Sequence, residues 1–146
     1  MKIVNGVLKN ISKTDIINGK LIVPEGVTKI EAECFKDDSS LIEIKLPSTL
    51  NIIFWGASKL EKIEFKNGLM IIGDMAFSDC YQLKEINLPD TITYIGENAF
   101  NNCISAKSIH IPTSLELINN ETFYNLKNLE EIYIPKNIKE IATNAF

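Results

Sequence analysis

Apolar residues recur along this chain in fixed columns. One copy of the pattern reads LKEINLPDTITYIGENAF over residues 83–100, with LIEIKLPSTLNII upstream and LEEIYIPKNIKEIATNAF downstream. All five prolines fall at one phase, Pro24, Pro47, Pro89, Pro112 and Pro135, spaced by 23, 42, 23 and 23 residues. The 42 divides into 23 plus 19, with Lys66 where a proline would stand. Cutting one residue before each of these points gives units 23–45, 46–64, 65–87, 88–110, 111–133 and a partial unit 134–146. The first column is Val23, Leu46, Phe65, Leu88, Ile111, Ile134 and the fifth is Val27, Leu50, Leu69, Ile92, Leu115, Ile138. The eighth is always isoleucine, the thirteenth always phenylalanine (Phe35, Phe54, Phe77, Phe100, Phe123, Phe146), and the twenty-second isoleucine again. Unit 46–64 lacks four residues between Ile53 and Phe54 and returns to phase after them.

A single unit of this size cannot bury its apolar side, whereas stacked copies turn each column into a continuous ridge. The run ending in Leu83, Ile86 and Leu88 alternates over its last residues, which predicts a short strand. Strands of successive units then pair in parallel about 4.8 Å apart. The proline follows the strand, where a missing N–H does least harm. A second short extended piece is expected at 92–95. The stretch ENAFNNC (97–103) suits a single helical or 3-10 turn that inserts Phe100 into the core. Residues 1–22 do not fit the columns. Asn5-Gly6 and Asn18-Gly19 mark turns, and the segment is read as an N-terminal cap with Val4, Leu8, Ile11, Ile16, Ile17 and Ile22 as its apolar contacts.

The pattern Pro-x-x-(Val/Ile/Leu)-x-x-Ile-Gly-x-x-Ala-Phe-x-x-Cys-x-x-Leu-x-x-Ile resembles the BspA-like (Treponema pallidum type) leucine-rich repeat over residues 23–146. The expected fold is an α/β, right-handed leucine-rich-repeat solenoid of mostly short parallel strands with single helical or 3-10 turns. The resemblance implies non-enzymatic protein binding. It also implies a surface or secreted protein of a bacterium or protist, with a role in adhesion. The alternative is an intracellular interaction module or a fragment of a delivered effector, and a cytoplasmic location follows if the chain is complete as given. A fold alone does not fix a partner.

Composition narrows the partners. With 45% hydrophobic and 23% charged residues the chain has the make-up of a globular domain. The formal charge is −4 and there is no basic run, which argues against nucleic acid, since phosphate binding needs local positive charge. No apolar run is long enough to span a bilayer, so membrane insertion is not expected. The N-terminus lacks the apolar core of a signal peptide. The last unit stops at Phe146 without a polar capping repeat, which raises either a continuing array or a homodimer formed through that open end.

No motif of nucleotide binding, serine hydrolysis or zinc proteolysis occurs, and neither catalytic, cofactor nor metal residues are assigned. His110 is the only histidine, and it sits one residue after a core isoleucine, pointing outward without a nucleophile beside it. Cys34, Cys80 and Cys103 fall in core columns and read as small hydrophobes. The spacing and the lack of supporting histidines argue against a metal. What varies between copies is the outward face of the strand. Its twenty-first column holds Glu43, Lys62, Glu85, Ser108 and Glu131, and its twenty-third Lys45, Glu64, Asn87, His110 and Tyr133. These side chains form either a solvated face with cross-strand pairs or a concave recognition surface. Trp55, directly after the deletion, is either an exposed hot spot or a filler of the gap. The sequons at Asn10 and Asn120 are weak signals in a chain this rich in asparagine.

Overall fold

The structure is a computed structural model and describes residues 1–31, 34, 35, 38, 40–53 and 59–146. It is a β-solenoid of about five turns whose walls are stacked parallel strands. Each full repeat contributes one strand to each of two walls.

The charged wall holds β3 (Lys20–Ile22), β5 (Glu43–Lys45) and β7 (Lys62–Glu64) in one ladder. Its second ladder holds β9 (Glu85–Asn87), β11 (Ser108–His110) and β13 (Glu131–Tyr133). The opposite wall holds β1 (Lys2–Val4), β2 (Val7–Asn10), β4 (Lys29–Ile30), β6 (Ile52–Ile53), β8 (Ile71–Ile72) and β10 (Tyr94–Ile95). A separate pair, β12 (Leu117–Ile118) and β14 (Glu140–Ile141), continues it. Among the described residues all strand pairs are parallel except β1 on β2. Register follows the columns: Ile109 lies opposite Ile86 and Ile132.

Residues 1–22 join both walls through β2 and β3, and β1 folds back antiparallel over the edge of β2. Leu8 and Leu21 are fully buried, and Ile11 and Ile16 pack partly against the core. Val4, Ile17 and Ile22, expected among the apolar contacts, are exposed instead. The reason is strand alternation: Leu21 takes the inward position, so Ile22 must face out.

Pro residues open the turn that joins the walls. The N–H of the fifth column closes each turn on the proline carbonyl, as in Ile92 to Pro89 at 3.1 Å and Leu115 to Pro112 at 3.2 Å. Among the described residues the third side of the coil is not helical. Among the described residues the only helical element is a 3-10 turn at Lys13–Asp15, so the helical part of the expected α/β class is nearly absent. At 97–103 the chain runs through overlapping turns instead. Asn98 and Asn102 take the left-handed conformation, φ 56° and 62°, which stops a helix from propagating. The alternate N–H groups released in this way reach the next coil: Asn98 to Asn120, Phe100 to Thr122, and Asn102 to Tyr124, at 2.8–3.1 Å. Backbone donors that a helix would use internally therefore tie one coil to another.

The core lies between these three sides. Phe77, Phe100, Phe123 and Phe146 stack along the solenoid axis with centroids 5.1, 5.6 and 5.7 Å apart. Phe65 caps this stack edge-on at 5.8 Å. The thirteenth-column expectation for Phe54 lies outside the described residues. Cys34, Cys80 and Cys103 are buried free thiols. Burial pushes the Cys34 thiol up to about 11, and also raises that of Cys103, whose sulfur meets the Phe77 carbonyl at 3.3 Å. They serve packing, as expected for inert buried thiols.

Candidate functional site

The charged wall places nine of the ten singled-out residues side by side. Glu43, Lys45, Lys62, Glu64, Glu85, Asn87, His110, Glu131 and Tyr133 all lie on β5, β7, β9, β11 or β13. Alternation sends Ile44, Ile86 and Ile109 inward and these nine outward. Trp55 lies outside the described residues.

Two halves of this wall differ. In the first, charges alternate from coil to coil and all but Lys62, which has no ion-pair partner among the described residues, pair across the strands. Lys20 meets Glu43 at 2.8 Å, and Lys45 meets Glu64 at 2.7 Å with Lys66 adding a contact at 3.3 Å. The Lys20 ammonium holds the Glu43 carboxyl below the ordinary range, and Lys45, then Lys66, do the same for Glu64. In the second half the outward residues of β9, β11 and β13 are all exposed. Among the described residues neither Glu85 nor Glu131 has an ion-pair partner, and Glu85 accepts only the Asn87 amide, at 3.3 Å. The cross-strand pair Lys107–Glu130, at 3.8 Å, lies just before these strands. Tyr133 is 70% exposed.

The ladder itself breaks between the halves. No strand pairing joins β7 to β9. The coils meet there through the Lys84 N–H and the Glu61 carbonyl at 3.3 Å and the Lys84–Glu61 ion pair at 2.9 Å. A cleft of about 610 Å³ opens at the break, lined by Ile63, Lys62, Glu64, Glu85 and Asn87 among others. Ile63 is only half buried, whereas Ile44 and Ile86 in the same column are sealed. The break falls directly after the shortened unit 46–64.

His110 has a partner that sequence reasoning missed. Its Nε2 lies 3.6 Å from Asp90, the side chains being 54% and 58% exposed. The Asp90 carboxyl is held below its ordinary range mainly by the N–H and hydroxyl of Thr113, at 2.7 and 3.0 Å, and only then by His110. An open pair of this kind lacks the enclosure that tunes an acid or base for catalysis. A histidine 20 residues after a column-three aspartate, at strand end, is the signal that would have found it. No group of three metal-ligating side chains occurs among the described residues, and no helix among them is long and apolar enough to cross a membrane.

Comparison with known proteins accounts for this architecture. A T. pallidum leucine-rich repeat protein superposes with a TM-score of 0.68 at 23% identity, over 92% of this chain and 77% of that one. A leucine-rich repeat protein from Bacteroides ovatus gives 0.63 at 29% identity, over 87% of this chain and 42% of that one. The pneumococcal vaccine antigen PcpA gives 0.73 at 21% identity, over 94% of this chain and 40% of that one. The chain thus spans less than half the length of the last two. No curated protein shows significant sequence similarity to it. The family model of the BspA type leucine-rich repeat region matches in six copies over residues 12–57 and 51–146, and the chain belongs to that family.

Proposed function

We propose that this chain is a non-enzymatic protein-binding module whose working surface is the second half of the charged wall. The observation that carries the reading is the contrast between the halves. Lys20, Lys45, Glu43 and Glu64 satisfy one another and leave little for a partner. Glu85, Asn87, Ser108, His110, Glu131 and Tyr133 stand exposed on a rigid three-stranded ladder. Exposed aromatic and polar residues on a fixed scaffold are the composition of recognition surfaces. The family supports the reading, since repeat folds expose long faces suited to partners.

Affinity capture with wild type and a Glu85→Lys/His110→Ala/Tyr133→Ala variant tests it. A partner bound by wild type and lost by the folded variant is expected. A partner held equally by both moves the site elsewhere, with residues 54–58 around Trp55 next in line. Adhesion at a cell surface is the finer reading, motivated by the likeness to a vaccine antigen. Protease shaving of intact source cells tests it, and a chain released only after lysis ends it. Self-association through exposed Ile141 and Phe146 is a separate proposal. A monomer in sedimentation at high concentration rules it out.

A further inference from the structure

The second half of the charged wall carries a specific gap. Along the twenty-first column the chain places Lys20, Glu43 and Lys62 in register on the first ladder, and Glu85, Ser108 and Glu131 in register on the second. Sign alternates strictly from Lys20 to Glu85, and a lysine is due at the next position. Ser108 stands there instead, between two carboxylates. Parallel strands are spaced by about 4.8 Å, so Glu85 and Glu131 flank Ser108 at roughly 5 Å on either side. Ser108 is thus flanked in register by two carboxylate-bearing residues. Tyr133 lies beside Glu131 on the same face and offers an uncovered ring to an adjacent cation or aliphatic stem. His110, two residues from Ser108, adds a further polar group in register with Asn87 and Tyr133.

We propose that this face docks an extended polypeptide segment bearing lysine or arginine, one of whose cations sits above Ser108 between Glu85 and Glu131. The proposal rests on the protein-binding reading above and adds the partner's chemistry. Charge complementarity favours that occupant over an acidic or neutral segment. The wall's first half excludes such a segment, because its own lysines already occupy the equivalent places: Lys20 against Glu43, and Lys45 against Glu64.

The test uses a labelled peptide of alternating Lys and Thr, its Glu–Thr counterpart, and the full chain, read by fluorescence anisotropy at low and physiological salt. Ser108→Lys supplies the missing cation from the chain itself. Thr93→Lys adds the same charge on the opposite wall, where Lys139 already occupies that column. Expected are binding of the Lys–Thr peptide alone, a loss of about fivefold or more with Ser108→Lys, and less than about twofold with Thr93→Lys. Glu131→Gln is expected to weaken binding in the same sense. Circular dichroism and melting of each variant confirm the fold, and Ser108→Lys is expected to melt no lower than wild type. Equal losses from both lysine variants overturn the proposal in favour of diffuse attraction, and no binding of the Lys–Thr peptide overturns it outright. Capture of a natural partner that needs Tyr133 and His110 but tolerates Ser108→Lys overturns the basic-segment proposal while the protein-binding reading survives.

Discussion

The side-chain amide of Asn125 donates to the side-chain oxygen of Asn102, one coil away, at 2.7 Å. Asn102 in turn donates to Asp79 at 2.7 Å, so a polar ladder climbs the solenoid at the fifteenth column. Each rung takes the left-handed conformation, with φ 61°, 62° and 61°. Asparagine suits the place twice over, since it tolerates that backbone and its amide both gives and takes a bond. Replacing Asn102 by Ala is expected to cost about 2–3 kcal/mol, combining the backbone penalty with two lost bonds. Asn102→Gly removes the bonds while accepting the backbone, and is expected to cost about 1 kcal/mol less. Urea unfolding of the pair separates the contributions, and equal losses would refute the backbone part.

The eleventh column makes the same demand with poorer residues. Asn98 and Asn144 meet it at φ 56° and 53°, but Met75 and Glu121 are forced into it at 55° and 52°. Met75 is also exposed. Met75→Asn is therefore expected to raise stability by about 0.5–1 kcal/mol. Thermal melting that shows no gain would mean that the methionine side chain makes compensating contacts.

At Gly96 two coils approach too closely for a side chain. A Cβ there would lie 2.4 Å from the Asp74 backbone nitrogen, which cannot swing aside. Gly96→Ala is expected to cost about 2 kcal/mol or more, in the range of overpacked cores. Denaturant midpoints check this. A neutral substitution would show that the coils can separate at that point.

Acid should loosen the charged wall. Glu64 and Glu43 titrate below the ordinary glutamate value of 4.5 because of Lys45 with Lys66, and Lys20, respectively. Their folded values are depressed, so their contribution is fully present above the unfolded value. It is lost as pH falls through the folded ones. The melting temperature is expected to drop as pH is lowered past 4.5, and to drop less in Glu64→Gln. Identical pH profiles for the two proteins would show that the pair adds nothing to stability.

Much of this fold is written in the sequence as period and column. Proline phase, the invariant isoleucines and the phenylalanine stack follow from counting, because every coil must present the same apolar shape to its neighbours. The turns at 97–103 were not legible as such. Ala99 and Phe100 satisfy a helical turn as well as a left-handed one, and the recurring asparagines at columns eleven and fifteen were the discriminating signal. The coil formed by residues 1–22 was hidden because Leu8 and Leu21 keep only two of the core columns. At the candidate surface the residues were legible but their pairing was not. Which lysine reaches which glutamate depends on ladder continuity, and nothing local in residues 62–87 announces the break between β7 and β9.

The two walls are interrupted at different heights. The charged wall parts between β7 and β9, the opposite wall between β10 and β12, where the Asn119 side chain takes the Ile95 carbonyl at 2.6 Å. Gly96 and Ala142 meet the corresponding carbonyls, of Ile72 and Ile118, with their backbone N–H. Staggered joints of this kind behave as they do in brickwork. A crack that starts in one face meets an unbroken course in the other, so a coil peeled back at either seam is still held by a continuous ladder. Pulled along its axis, such a rod should yield by small local openings on alternating sides rather than by parting across one plane.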